Sequence, residues 1–357
     1  MKIAVINNLY FPFNRGGAEQ VVQKMITEFM TAGHEVFLIS TKPSKIAASP
    51  TDKLKIYYLE SYFYNLNKIP FAFRFFWHLS NILSLRKYQK IKKILIDTKP
   101  NLVITHNLLG LGFLIPLAIR QLKIRHEHVL HDVQLLHPSG LILFGQEQKI
   151  NSATAKIYQF LTRLLFASPF KVVSPSHWLL TEHTRRGFFP DSLKEVKLFN
   201  FPLPLGDQPT KNKNDDFSPK KFLFVGQIES HKGILWLMSI FKKLDDQSIS
   251  LIIVGDGQKM AAAQEIAKND RRLELRGRLN PEDIKKIMAI SDYLIVPSLC
   301  YENSPTVIYE AHALNLPVIA AEIGGIPEIC DSKDFLFAPG NEEDLKQKLQ
   351  KVITQKK

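Results

Sequence analysis

The chain has 357 residues, of which 45% are hydrophobic and 23% charged, and its formal net charge at pH 7 is +13. This length exceeds what one ordinary hydrophobic core supports, so two domains are expected. The two cysteines, Cys300 and Cys330, have neither CxxC nor zinc-ligand spacing, which argues against a disulfide framework and favours a reducing compartment.

Short apolar runs alternate with longer amphipathic segments along the whole chain. Ten runs predict β-strands, at residues 2–7, 35–40, 102–105, 128–130, 171–174, 221–226, 251–255, 273–275, 293–297 and 317–321. Between most of them the apolar residues recur with helical periodicity, for example over 18–33 and 281–291. Nearly continuous apolar strands separated by helices indicate parallel sheets that are covered on both faces.

The alternation breaks once, at 201–221, where prolines, polar residues and charges cluster. We therefore predict an N-terminal Rossmann-like domain over 1–202, a linker over 203–220 and a C-terminal Rossmann-like domain over 221–357. The predicted fold is α/β, with two doubly wound domains that face each other across a cleft. Such a cleft is the usual place for a ligand.

No stretch of the sequence predicts membrane insertion. Asn7 and Asn8 interrupt the apolar N-terminus before it reaches the length of a signal peptide's apolar region. The apolar stretch 108–119 contains two glycines and a proline, which leaves it short of the roughly 18 uninterrupted residues of a membrane span. We expect a soluble, cytoplasmic protein, or at most one attached peripherally to the inner face of the membrane.

The net charge predicts an anionic partner, and nucleic acid, an acidic membrane surface and a phosphorylated substrate all fit it. The segment 63–95 mixes aromatic residues with seven lysines and arginines. It predicts an amphipathic helix with its cations outward or, alternatively, a rim that docks on an anionic bilayer. No nucleic-acid motif is recognisable, so a nucleic-acid partner is not expected.

In open parallel sheets, ligands bind beside the carboxyl ends of the strands. After the strand at 221–226, Lys232 and Gly233 fall at a predicted helix start, where a cation and backbone N–H groups can bind a phosphate. An isolated lysine at such a position is more often a solvated surface charge. The GxG that begins at Gly255 allows close backbone approach, although a simple turn also explains it.

The stretch YENSPTVIYEA, residues 301–311, follows another predicted strand. Ser304 is predicted to cap a helix that begins at Pro305, so that the N–H of Thr306 is offered to an anion. Glu310 follows Thr306 by four residues and lies on the same helix face, where a carboxylate suits a vicinal diol such as that of ribose. Glu302 would reach the group attached beyond the phosphates, unless both glutamates are ordinary surface residues.

Histidines are concentrated in RHEHVLHDVQLLH, residues 125–137. His126, His128, His131 and Asp132 could be drawn as a metal site, but a strand would place only the first two on a common face. We predict no metal. His131 is expected in a catalytic pocket, and His106, at the end of another strand, is a candidate to face the cleft.

The run VPSLCYENSPTVIYEAHALNLPVIAAEIGGIPEI, residues 296–329, resembles the family 4 glycosyltransferases of GT-B fold. The signature of that family is a pair of glutamates separated by seven residues, followed by a proline-led strand and a GG-x-P-E turn. Further matches to the family are GGAE (16–19), KPNLVITHN (99–107), LHDVQLLHPSG (130–140), VVSPSHWL (172–179) and FVGQIESHKGI (224–234).

The resemblance implies retaining transfer of a sugar from a nucleoside-diphosphate sugar, without a required metal or other cofactor. It implies that Lys232 contacts the diphosphate, Glu310 the ribose and Glu302 the hydroxyls of the donor sugar, while His131 lines the reaction centre. The catalytic candidates are thus His131, Glu302 and Lys232. The other donor-binding candidates are Gly16, Gly17, Gln227, Gly255, Asn303, Ser304, Pro305, Thr306 and Glu310, and the acceptor-side candidates are His106 and Asp132.

Two features depart from the family pattern. Gln227 stands where an arginine is usual, so either Lys232 and the helix start suffice for the phosphates, or Arg276 or Arg278 assists. The chain also stops where many relatives continue into a further helix. The predicted function is sugar transfer to a glycan or lipid-linked acceptor in cell-surface polysaccharide or glycolipid synthesis. The alternatives are a weak or silent sugar-nucleotide-binding protein of this fold, an epimerase or a phosphorylase.

Overall fold

The computed structural model describes residues 1–13, 16–43, 54–61, 77, 80–197 and 219–354. These residues form two compact units. The first comprises Met1–Leu141 and Gln148–Lys197, and the second comprises Ile142–Glu147 and the described residues after Lys197. The predicted linker 203–220 lies outside the described residues except for its last two, and so does most of the segment 63–79.

The first unit is built on a parallel seven-stranded sheet in the order β3-β2-β1-β4-β5-β6-β7. Its strands are β1 Lys2–Ile6, β2 Glu35–Lys42, β3 Lys55–Glu60, β4 Leu102–Thr105, β5 Arg125–Val129, β6 Lys171–Ser174 and β7 Leu193–Val196. Its described helices are α1 Gly17–Thr31, α2 Leu85–Thr98, α3 Ile115–Gln121, α4 Ala153–Phe166 and α5 His177–Thr184. Helices α2, α3 and α4 pack side by side in one layer.

The second unit contains a parallel six-stranded sheet in the order β10-β9-β8-β11-β12-β13. Its strands are β8 Lys220–Val225, β9 Ile249–Val254, β10 Leu273–Gly277, β11 Tyr293–Val296, β12 Val318–Ala321 and β13 Phe335–Phe337. Its helices are α6 Ile234–Lys243, α7 Met260–Ala267, α8 Pro281–Ile290, α9 Thr306–Ala313 and α10 Glu342–Thr354. The two parallel sheets with flanking helices confirm the predicted α/β class.

The central strands form because their apolar runs are buried on both sides, as for Val5 and Leu38 in the first unit and Leu251 and Ile319 in the second. All ten predicted strands are present. Three further strands, β3, β7 and β13, occupy sheet edges. β3 and β7 carry charged residues and are largely exposed or half-buried, and β13 is an apolar run of only three residues, so none shows the longer buried apolar run of a central strand.

Residues Ile142–Glu147 belong to the second unit although the sequence assigns them to the first half. The N–H of Tyr301 donates to the carbonyl of Ile142 at 2.9 Å, and the N–H of Phe144 donates to that of Leu299 at 3.0 Å. These backbone bonds anchor the segment beside the loop that follows β11. Nothing in its local composition signals this placement.

The segment 85–98 forms the predicted amphipathic helix, with Ile91 and Leu95 buried. Lys87 is an exception to the outward cations, because its ammonium donates to the carbonyl oxygen of Gly110. Burial lowers the pKa of Lys87 to about 8. Among the described residues, no helix combines the length and apolar character needed to cross a bilayer.

In each sheet the strand order reverses once, between β1 and β4 in the first unit and between β8 and β11 in the second. At such a switch point the connections leave the sheet in opposite directions and open a crevice at the carboxyl ends of the strands. The loops that follow β8 and β11 are therefore where a ligand of the second unit is expected.

Candidate functional site

The side chains of Lys232 and Glu302 meet at the switch point of the second sheet. Lys232 follows β8 and Glu302 follows β11, and the lysine Nζ lies 2.5 Å from Oε1 of the glutamate. The hydroxyl of Ser298 donates to the same oxygen at 2.9 Å. Two side chains that lie 70 positions apart are thus held as one partly buried ion pair.

Both members of this pair carry their charges at neutral pH. Burial disfavours the ammonium of Lys232, but the attraction of Glu302 outweighs burial and raises the pKa of Lys232 above its ordinary value. Burial likewise opposes ionisation of Glu302, yet the attraction and hydrogen bond of Lys232 lower its pKa. The site therefore presents a fixed cation beside a fixed anion.

Glycines allow the loops around this pair to approach each other. Gly233 adopts φ +72°, and a Cβ built there would lie 1.8 Å from the carbonyl oxygen of Pro297. A Cβ on Gly255 would lie 1.8 Å from the carbonyl oxygen of Gly226. A side chain at either position would clash with the neighbouring loop. The two glycines therefore let the loops after β8, β9 and β11 make direct backbone contact.

A second glycine turn supports Glu302 from behind. Gly324 adopts φ +64°, and a Cβ there would lie 2.2 Å from the carbonyl oxygen of Glu302. The N–H of Gly325 donates to that same carbonyl at 2.8 Å. The GG-x-P-E motif after β12 thus positions the glutamate backbone, a contact that its sequence spacing alone does not reveal.

The start of α9 differs from the prediction in one detail. Pro305 is the N-cap and the helix begins at Thr306, so the predicted cap at Ser304 is wrong. The Ser304 hydroxyl instead lies 2.8 Å from the hydroxyl of Tyr309. Within the described part of the chain, the backbone N–H groups of Thr306 and Val307 have no acceptor, as expected for the first turn of a helix.

Glu310 lies one turn further along α9. Its side chain is partly buried and has no hydrogen-bond or ion-pair partner among residues that the structure describes. Burial raises the pKa of this carboxyl. A partly desolvated carboxylate without a protein partner can accept hydrogen bonds from the hydroxyls of a ligand.

Gln227, the departure from the family pattern, is exposed directly after β8. Neither arginine considered as its substitute adjoins that loop along the sheet, since β10 and β8 are separated by β9. Arg276 pairs with Glu274 on its own strand at 2.6 Å, and Arg278 is exposed. Lys232 is the cation that the structure places at the switch point.

In the first unit, the predicted histidines lie at the carboxyl edge of the sheet. His131 Nε2 lies 2.7 Å from Nδ1 of His106. Burial lowers the pKa of His131 to about 4 and that of His106 well below its ordinary value, so both rings are neutral at pH 7. His106 has no exposed surface and contacts His131.

The four residues considered above as a metal site, His126, His128, His131 and Asp132, do not form one set of ligands. His126 and His128 share a strand face as predicted, but both rings bond the hydroxyl of Thr105, at 2.7 and 2.9 Å. Asp132 accepts the N–H of Gln134 at 2.7 Å, and burial raises its pKa to about 6.

One other cluster, His312 with Asp331 and Asp334, has ligand atoms close enough for a metal. Asp334, however, already accepts hydrogen bonds from His312 and from the backbone of Val318 and Asp331. The carboxylate of Asp334 is therefore already engaged in hydrogen bonds that hold the fold together.

Gly16 and Gly17 lie where the loop after β1 meets the first helix of that unit. Gly16 is the N-cap of α1 and Gly17 is its first residue. The N–H of Gly16 donates to the carboxylate of buried Glu19 at 2.9 Å. This bond closes the helix start and keeps the small residues at the carboxyl edge of the sheet.

Two family profiles match most of the chain. The profile described as Glycosyltransferase Family 4 matches residues 15–195, and the profile described as Glycosyl transferases group 1 matches residues 219–355. The boundary between the two matches coincides with the break between the two units.

Relatives of similar sequence include two that match along most of the chain. An uncharacterised 42.6 kDa protein in the cps region of Klebsiella pneumoniae is 26% identical over 92% of this chain and 87% of its own length. The gpi3 subunit of phosphatidylinositol N-acetylglucosaminyltransferase from Schizosaccharomyces pombe is 24% identical over 98% of this chain and 72% of its own.

Solved structures show the same fold. Anabaena Alr3699/HepE in complex with UDP has a TM-score of 0.72 and 17% identity, over 100% of this chain and 91% of that one. Sucrose-phosphate synthase from Thermosynechococcus elongatus has a TM-score of 0.70 and 17% identity, over 99% and 90%. The GT-B fold class expected from the sequence is confirmed.

Proposed function

The chain belongs to glycosyltransferase family 4 and is a retaining transferase of nucleotide-sugars, and on that premise we propose that the crevice after β8 and β11 is its donor site. The observation that carries the proposal is the Lys232–Glu302 pair at the switch point of the second sheet. The start of α9 follows it in sequence, and so does Glu310, whose carboxylate has no partner within the described ranges.

Each group in this crevice matches one part of a nucleoside-diphosphate sugar. The ammonium of Lys232 and the free N–H groups of Thr306 and Val307 suit the diphosphate, because a helix N-terminus and a lysine both attract anions. Glu310 suits the ribose diol, whose two hydroxyls can each donate to a carboxylate. Glu302 suits the hydroxyls of the transferred sugar.

The ion pair also accounts for how the site promotes transfer. As the bond between the sugar and the diphosphate breaks, negative charge grows on the leaving group, and the fixed charge of Lys232 stabilises it more than in the ground state. Glu302 holds the lysine in place. In the first unit, His131 is neutral at pH 7, so it can offer hydrogen bonds to a ligand but no charge.

In this proposal the acceptor is a glycan or a lipid-linked molecule, and the protein is cytoplasmic or attached peripherally to the inner face of the membrane. This part of the proposal is supported by the printed names of relatives, which include a phosphatidylinositol N-acetylglucosaminyltransferase subunit and a protein of a cps region. A solved neighbour, the galactosyltransferase WaaB of the lipopolysaccharide outer core, has the same fold.

A panel of nucleoside-diphosphate sugars incubated with the full chain tests the donor site, with nucleotide release as the readout. We expect slow release from at least one donor and its loss in Lys232→Met. Nucleotide binding without release would favour the silent-binder alternative suggested by Gln227. Conversion to another sugar without an acceptor would favour an epimerase, and phosphate-dependent release of a sugar phosphate would favour a phosphorylase.

A further inference from the structure

The helix α4 buries Gln159 and Thr162 together with Phe166 on its inner face, while three large apolar residues point outward. Ile157, Phe160 and Leu164 are 63%, 56% and 62% exposed. Their spacing of three and four residues places them on one face of the helix. We refer to these three side chains as the α4 stripe.

Hydrogen bonds of the inner face hold this orientation. The hydroxyl of Tyr158 donates to the carbonyl of Gln134 at 2.7 Å, and that of Thr162 donates to the carbonyl of Leu135 at 2.7 Å. The amide of Gln159 donates to the carbonyls of two further buried residues. Rotating the helix to bury the stripe would break all of these bonds, so its exposure is built into the fold.

The surroundings of the stripe are basic. Helices α2, α3 and α4 form one layer, and together they carry eight lysines and arginines, of which Lys87 is turned inward, and a single acidic residue, Asp97. Asp97 is paired with Lys93 at 3.0 Å. On α4 itself, Lys156 and Arg163 are exposed beside the stripe, and the Arg163 guanidinium lies over the ring of Phe160.

We propose that the α4 stripe docks the protein onto an anionic lipid bilayer. Large apolar side chains flanked by cations are the pattern of a helix that lies in the membrane interface. The charge selects this occupant over a second copy of the chain. A two-fold dimer would place the patch against itself and bring Lys156 and Arg163 together with their like-charged counterparts.

This surface goes beyond the proposed transfer reaction and does not depend on it. A bilayer contact through the first unit would, however, keep the enzyme where a lipid-linked acceptor is found. The earlier expectation of membrane docking concerns residues 63–95, of which about half (63–76, 78 and 79) lie outside the described residues. The stripe on α4 is a separate surface that the sequence pattern did not indicate.

Co-sedimentation of the full chain with vesicles tests the proposal. One set of vesicles contains equimolar phosphatidylglycerol and phosphatidylcholine, and the other contains phosphatidylcholine alone. We expect binding to the anionic vesicles and a partition coefficient that falls at least about tenfold in Ile157→Ser/Phe160→Ser/Leu164→Ser. Lys156→Glu should lower it about fivefold or more, since one cation near such a surface contributes roughly that factor.

The control variant Leu193→Ser/Ile290→Ser removes two large apolar residues that are similarly exposed elsewhere, and its binding should match that of the unchanged chain. Circular dichroism verifies that each variant is folded, so loss of binding is not loss of structure. Equal binding by the stripe variant, or no binding by the unchanged chain, overturns the proposal. The proposal is also overturned if light scattering shows that the unchanged chain and the control variant are dimers and the stripe variant is a monomer. The stripe would then be covered by a second copy of the chain.

Discussion

Lowering the pH from 7.5 to 5.0 is expected to destabilise the first unit through its buried histidines. Burial lowers the pKa of His183 to about 4 and that of His126 to about 3, whereas an unfolded histidine has a pKa of about 6.5. The unfolded chain thus binds more protons, and stability present above pH 6.5 is lost as the pH falls towards these values. Each ring contributes about 2 kcal/mol of that loss at pH 5.0.

His131, with a pKa of about 4, adds a similar amount. Asp132 opposes the trend, because burial raises its pKa to about 6 and the folded state then gains a proton as the pH falls. Asp132 therefore offsets about 1 kcal/mol of the loss in the free energy of unfolding at pH 5.0. The expected net loss from these four groups is therefore about 5 kcal/mol, which is a large part of the stability of a typical domain.

Replacement of His183 by leucine isolates one ring. Its Nδ1 bonds the carbonyl of Leu179 at 2.9 Å, while its buried Nε2 has no hydrogen-bond partner in the part of the chain that the structure describes. Urea unfolding followed by circular dichroism at both pH values gives the pH-dependent change in the free energy of unfolding. That change should be about 2 kcal/mol smaller in His183→Leu than in the unchanged chain. The exposed His177→Gln is the control, and an undiminished change in His183→Leu would refute the reasoning.

Three predictions concern the second unit. Glu310→Gln should weaken donor binding in calorimetry by about 1.5 to 3 kcal/mol and spare kcat, because a diol contact is equal in ground and transition states; a matching fall in kcat would contradict it. Glu302→Gln should lower kcat more than it raises KM, whereas Lys232→Met should impair both. Steady-state kinetics in which Glu310→Gln lowers kcat and Glu302→Gln only raises KM would exchange the roles assigned to the two glutamates. Gly233→Ala should destabilise the fold by more than about 2 kcal/mol in urea titrations, since its Cβ meets a carbonyl oxygen, while Gly33→Ala, with similar φ but open space, should cost about 1 kcal/mol.

The sequence by itself determined the local elements and suggested the candidate site residues. Apolar runs with strand character and helical periodicity are short-range signals, so the central strands of both sheets could be predicted from them. The spacing of Glu302 and Glu310 across the start of α9, together with the GG-x-P-E turn, pointed to a nucleotide-sugar site. The edge strand β7 was missed because Lys194 and Glu195 leave it no apolar run, whereas β3 was missed although it contains the short run IYYL, residues 56–59.

Only the tertiary structure decided which of these groups meet. Lys232 and Glu302 form one ion pair because the strand order places β8 beside β11, and no local pattern encodes that order. The α4 helix makes the same point from packing. Its apolar periodicity alone would turn Ile157 and Phe160 inward, but the hydrogen bonds of Gln159 and Thr162 to buried carbonyls determine the face that is covered.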